Sequence, residues 1–305
     1  MKTDRRDFLK TSAVMVISSA ALAASAQNAE ALPNGQPLGF QTYEIFKNLT
    51  DDWQGTWSTM AGMGYKFADL DYFGVIAQHT PDDINQSLAK AGLTCTICHF
   101  LLDSYDDDSF SRTMDTAHGI KGVKTVMVTG AGGRAAGRGS QKVTVDDWKW
   151  LANQLNEIGP KVQREGFSLG YHNHNTEFIA IDGKVPWDVL MESTEPKLVK
   201  FQIDVGNLTF GGGDAYHYLS AYPDRYIGLH VKDFKPGMAA VPVGDGILDW
   251  KRIFALAKKD KITNYVAEVG AYGQRSLDGA ALQQSSMDVF ELFHRSAQYL
   301  QNLTS

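Results

Sequence analysis

Three strand-like runs of this chain end in Asp204, His230 and Glu268, and Glu177 falls in the loop just beyond a fourth, so that the four follow one another at intervals of 27, 26 and 38 residues. Each interval suits one strand-plus-helix unit, so successive parallel strands would deliver one side chain apiece to a common rim. Three carboxylates and an imidazole form a hard, oxygen-rich ligand set for a divalent ion, Mn²⁺ first, with Mg²⁺, Co²⁺ and Zn²⁺ as alternatives. Such an ion, chelating a carbonyl and the neighbouring hydroxyl, acidifies the carbon between them and holds the resulting enediolate. Glu177 or Glu268 would take that proton. Its return on the other face epimerises the substrate, its return on the next carbon isomerises it, and loss of a β-leaving group makes the enzyme a lyase. Singly each acid reads as a turn cap or a solvated loop end; as a series at consecutive strand ends they read as a site.

The stretch Gly170–Phe178 concentrates the polar chemistry. Strand alternation puts His172 and His174 on one face and Asn173 on the other. His174, beside Glu177, is expected to contact substrate, and His172 one layer deeper is a further candidate. Lys232 shares the face of His230 and can hold a substrate oxygen. His99 ends the third strand-like run and is a fourth candidate contact. Asp233 reads equally as a cap for the following loop. Tyr43 and Trp250 offer apolar faces to a sugar ring or to packing, and His79, His118, His217 and His294 read as surface residues.

Eight strand-like runs position these groups: 39–43, 66–70, 94–100, 125–129, 168–174, 199–204, 226–230 and 264–268. Helical patterns lie between them, among them Pro81–Ala91, Asp146–Glu165, Trp250–Lys259 and Ser285–Leu303. Strict alternation of strand and helix predicts a single (β/α)₈ TIM barrel of the α/β class over 38–305, close to the typical size of ~250 residues. The register carries its own check: Gln202, Gly228 and Val266, two residues before a ligand, must face the barrel interior, and none is charged. The run Gly130–Gly139 imitates a dinucleotide fingerprint, but Gly137 and Gly139 break the helix that should follow. It reads as a rim loop whose Arg134 and Arg138 can reach an anionic substrate group.

The first residues read as an address. Arg5-Arg6-Asp7-Phe8-Leu9-Lys10 precedes an apolar run, Ala13–Ala24, too short for a spanning helix, and cleavage is expected after Ala26 or Ala31. Met1–Ala26 thus resembles a twin-arginine signal for a periplasmic or secreted protein, and 27–37 is a linker. Removing the signal moves the balance from 29 Lys and Arg against 35 Asp and Glu to 25 against 33. An acidic surface without a basic cluster excludes nucleic acid and anionic membranes as partners. The two cysteines, Cys95 and Cys98, fall three apart in one strand, beyond disulfide reach, and read as buried thiols.

Five motifs together resemble the sugar phosphate isomerase/epimerase family with a xylose isomerase-like barrel: Gly-Tyr-His-Asn-His-Asn-Thr-Glu-Phe (170–178), Phe-Gln-Ile-Asp-Val-Gly (201–206), Leu-His-Val-Lys-Asp-Phe (229–234), Val-Gly-Asp-Gly-Ile-Leu-Asp-Trp (243–250) and Ala-Glu-Val (267–269). The resemblance implies that Glu177, Asp204, His230 and Glu268 ligate the metal and that Glu177 and Glu268 also move protons. It implies a small-molecule sugar or keto-sugar as substrate, with isomerisation or epimerisation as the first expectation. β-Elimination, as in inosose dehydratases and 3-keto-glycoside lyases, is the alternative, and sugar binding without turnover the third. The family commonly has a glutamate ending strand two, where Asp69 here offers a shorter arm.

Overall fold

The computed structural model describes residues 34–100, 107–129, 143–270 and 280–303. The proposed signal Met1–Ala26, the linker up to residue 33 and the loop bearing Arg134 and Arg138 lie outside them. Eight parallel strands close into a barrel: β1 (Leu38–Gln41), β2 (Phe67–Asp71), β3 (Thr94–Phe100), β4 (Thr125–Thr129), β5 (Ser168–His172), β6 (Val199–Asp204), β7 (Tyr226–Val231) and β8 (Tyr265–Ala267). Each pairs with its neighbour in sequence, and β8 returns to β1. Around them run α1 (Phe46–Asp51), α2 (Trp53–Gly62), α3 (Pro81–Ala91), α4 (Asp107–Gly119), α5 (Val145–Arg164), α6 (Pro186–Ser193), α7 (Val205–Phe210), α8 (Ala215–Ala221), α9 (Trp250–Lys259) and α10 (Val289–Asn302).

Local signals explain the boundaries. Thr80 and Asp83 close a capping box over α3, Pro81 opens its first turn, and Gly92 ends it at φ 73°, where a side chain would be strained. Thr144 and Asp147 repeat the box on α5. Trp250, Ile253, Phe254 and Ala257 on α9 recur at helical spacing and are buried against the barrel. Strand β5 stops two residues before the expected end, because Asn173 leaves the ladder to bind β6. Its amide donates to Asp204 O at 3.1 Å and accepts from Asp204 N at 2.9 Å. Asn34 ties the chain ahead of β1 to the barrel through Phe254 O and the Tyr265 hydroxyl.

Inside the barrel the expected inward positions hold. Gln202 pairs in register with Gly228, and a Cβ added at Gly228 would lie 3.1 Å from Gln202 Cγ. The same device recurs twice: the Met127 side chain lies over Gly170, at 2.7 Å from where its Cβ would be, and the Phe67 ring lies over Gly39. Three glycines thus leave room for three long side chains, which fill the floor below the rim. Cys95 and Cys98 are free and buried, and burial pushes both thiols up, away from the reactive thiolate. Among the described residues no helix is long and apolar enough to cross a membrane.

Candidate active site

The C-terminal ends of β5 to β8 converge on one buried cluster. Parallel register sets Asp204 beside His230 and His230 beside Val266, two residues before Glu268. Ligand atoms of His172, Asp204, His230 and Glu268 lie within 4.8 Å of one another, and all four residues are buried. Asp69, His99 and His230 form a second such group sharing the same imidazole.

Hydrogen bonds hold each member. His230 lies between two carboxylates, Nδ1 at 2.6 Å from Glu268 Oε2 and Nε2 at 3.1 Å from Asp69 Oδ2. The other Glu268 oxygen accepts from Lys232 Nζ at 2.7 Å, and the ammonium also donates to Asn207 Oδ1 at 3.1 Å. Asp204 caps α7, taking the Asn207 backbone and side-chain amides at 2.8 and 2.7 Å, so its cap and site readings are both realised. Gln202 rises from the floor to donate to Asp69 Oδ2 at 2.6 Å. The Asp69 arm therefore reaches the cluster despite its length, and Asp71, not Asp69, ends β2.

Burial and neighbouring charges set the protonation states. Burial opposes charge on His230, but the hydrogen bonds it donates to Asp69 and Glu268 outweigh it and raise the imidazole to about 10. Burial, and then Glu268, lift Asp204 to about 7. Burial resists ionisation of Glu268 too, yet Lys232 and His230 hold it well below the usual carboxylate range. His172, buried beside His230 at 4.4 Å between ring centroids, is held well below the usual imidazole range and is neutral. Lys232 is kept charged, since Glu268 and Asp204 overcome its desolvation.

One expected placement changes. The Glu177 carboxylate is not in the cluster: the chain leaves β5 and turns through Thr176–Phe178, where Glu177 accepts from the Tyr171 hydroxyl at 2.7 Å and the Thr176 hydroxyl at 2.8 Å. His172 stands among the ligand atoms in its place. Of the two readings of Trp250, packing is the one realised: it is buried and donates to Asp233 Oδ2 at 2.9 Å. Asp233 is the loop cap, also accepting from the amides of Phe234, Gly244, Gly246 and Leu248. Of the other candidates, His174 is exposed at the rim and within 3.1 Å of the Thr129 hydroxyl. His99 is buried, its Nε2 3.0 Å from Asp69 Oδ1 without hydrogen-bond alignment. Tyr43 is half-exposed beside Phe46 and Phe73. Glu44 and Asp71, both buried at the same rim, had no signal in the sequence beyond their acidity.

The donor set fits a divalent ion. His172 Nδ1 is buried without a hydrogen-bond partner, and Asp69 Oδ1 and His99 Nε2 face each other at 3.0 Å out of hydrogen-bond alignment, an arrangement that a bound cation would relieve. Two imidazoles and two carboxylates also match the ligand chemistry of Mn²⁺, Co²⁺ and Zn²⁺.

The sequence profile of the xylose isomerase-like TIM barrel family matches residues 57–292. The chain belongs to that family. An inosose dehydratase of Geobacillus thermodenitrificans is 32% identical over 36% of this chain and 43% of its own length. The chain spans about half the length of the curated relatives it matches, from 43 to 62%. A sugar phosphate isomerase/epimerase from Parabacteroides distasonis superposes with a TM-score of 0.71 at 23% identity, over 88% of this chain and 94% of that one. A D-psicose 3-epimerase does so at 0.62 and 13%, over 87% and 96%. At these identities the two structures establish the shared barrel, whose catalytic face in this fold is the one that carries the cluster.

Proposed function

We propose that this protein is a divalent-metal-dependent enzyme that removes a proton beside the carbonyl of a keto-sugar or cyclitol ketone and then expels a β-oxygen. The observation that carries the reading is the buried His172, Asp204, His230 and Glu268 cluster at consecutive strand ends, with Lys232 set against Glu268. His172, Asp204, His230 and Glu268 would hold the ion, Mn²⁺ first. When bound, it supplies Lewis-acid polarisation of the substrate carbonyl. The remaining work falls to the chain. Glu268, fixed by Lys232 within the cluster, is the carboxylate placed to accept a carbon-bound proton, and Glu177, held by two hydroxyls outside the cluster, is the second candidate. Lys232 keeps a positive charge where the substrate oxygen gains a negative one. His174 and Thr129 at the rim would orient sugar hydroxyls.

Elimination takes precedence over the isomerisation expected at first because the sequence relatives include inosose dehydratases. Epimerisation is the second reading, favoured by Glu177 and Glu268 following strands three apart around the barrel, from which each can address one face of a ring. Incubating metal-loaded protein in D₂O with free ketoses, a keto-inositol and 3-keto-glucosides, followed by NMR, separates the two. Deuterium beside the carbonyl with no loss of oxygen substituent indicates epimerase or isomerase, and an enone with a released group indicates lyase. If neither forms with Mn²⁺, Mg²⁺, Co²⁺ or Zn²⁺, the catalytic reading fails in favour of sugar binding. Export by the twin-arginine route is part of the proposal. It rests on Arg5-Arg6 before the apolar run, and retention of Arg5→Lys/Arg6→Lys precursor in the cytoplasm is the expected result.

A further inference from the structure

The turn that follows β1 has its burial inverted. In Tyr43–Ile45 the aromatic Tyr43 is 50% exposed while the neighbouring Glu44 is 7% exposed. Glutamate is rarely buried without a partner, yet both Glu44 carboxyl oxygens are buried with no hydrogen-bond partner. The side chain stands close enough to Glu268, Lys232 and Asp71 for their charges to act on it. β1 lies between β8, which leads to Glu268, and β2, which ends in Asp71. A carboxyl left unpaired on this side of the Lys232–Glu268 pair can bond a ligand that brings polar atoms. A sugar does.

Resting on the proposed elimination, we propose that Glu44 touches the substrate and gives its carboxyl proton to the departing oxygen. The neighbouring groups point to Glu44 for this task. Lys232 is committed to Glu268 and Asn207, and His99 is packed against Asp69 and Asp71. Burial, reinforced by Glu268, holds Glu44 well above the usual carboxylate range against the opposing pull of Lys232, so the carboxyl arrives protonated. In the step, the carbon-bound proton passes to Glu177 or Glu268 and its electron pair becomes the C=C bond. The C–O pair leaves with the oxygen, which takes the Glu44 proton, and solvent exchange resets both carboxyls. The products are an enone and an alcohol or water, with no oxidant or reductant required.

The test uses two 3-keto-glucosides that differ only in the leaving group. A methoxide must be protonated as it departs, whereas 4-nitrophenoxide need not be. For Glu44→Gln, release of methanol should fall by about 10²- to 10⁴-fold, the worth of a positioned acid, while release of 4-nitrophenol changes by less than about 5-fold on the same reasoning. Glu44→Asp should recover part of the methanol release, which a purely structural role would not predict. Binding of a methylene-linked analogue, lacking the departing oxygen, should match wild type by calorimetry in both variants, with metal content unchanged. Equal loss on both glucosides, or on neither, overturns the role of Glu44 and leaves elimination standing. Failure of the wild type to release either aglycone removes the elimination reading, and Glu44 as its acid with it.

Discussion

Loading the site with a divalent ion should expel protons, in a number that depends on pH. His230 is held up to about 10 by Asp69 and Glu268, and Asp204 is lifted to about 7 by burial and Glu268. Metal ligation needs a neutral imidazole and an ionised carboxylate, so both protons must go. His172 is already neutral and Glu268 already ionised, and they contribute none. Near pH 6 the ion therefore displaces about two protons, and near pH 8 to 9 about one, as Asp204 has ionised by then. Apparent affinity should accordingly rise by about 100-fold per pH unit around pH 6 and about 10-fold per unit around pH 8. Calorimetry with Mn²⁺ in buffers of different ionisation enthalpy counts the protons directly. Affinity that stays flat between pH 6 and 9, with no proton release, would refute the claim that His230 and Asp204 are ligands.

Three further outcomes are expected. Metal-free protein should lose stability as pH rises from 7 to 10: the folded-state value of His230 exceeds the ordinary 6.5, so its contribution is complete below 6.5 and is gone once the pH passes about 10, a change of roughly 4 kcal/mol in urea unfolding. Lys232→Met should destabilise the metal-free fold by roughly 3 kcal/mol, because Glu268 keeps His230 but loses its buried ammonium partner; a loss below about 0.5 kcal/mol, the worth of an exposed pair, would contradict the burial argument. Asp233→Ala removes the acceptor shared by four backbone amides and the Trp250 ring nitrogen, and should cost about 2–4 kcal/mol. Hydrogen exchange at Gly244, Gly246 and Leu248 should quicken with it.

The barrel was legible because strand-like and helical runs alternate strictly along the chain, and some helices carry their own start signal. The helix starts read at Pro81 and Asp146 fall within one residue of those observed. Asp204, His230 and Lys232 were legible because strand parity dictates which side chains face inward, and Glu268 follows β8 by one residue. Parity lapses where a strand ends. His174 and Glu177 lie beyond β5, where hydrogen bonds from Tyr171, Thr176 and Asn173 decide direction, and no spacing rule encodes them. Glu44 was invisible on other grounds: an acid in a turn after a strand ordinarily reads as solvated, and only the folded barrel puts it under cover.

The glycine-lined floor couples the barrel's middle to its chemistry. Gln202 bends over Gly228 and its amide ends on Asp69, which in turn holds His230. Gly228 is therefore a lever arm's pivot rather than a vacancy: a methyl group there would push Gln202 upward, and the push would arrive at the imidazole through Asp69. Gly39 and Gly170 lean on apolar partners, Phe67 and Met127, whose displacement ends in packing. Three positions alike in composition thus divide into two that tune rigidity and one that tunes the proton inventory of the active site.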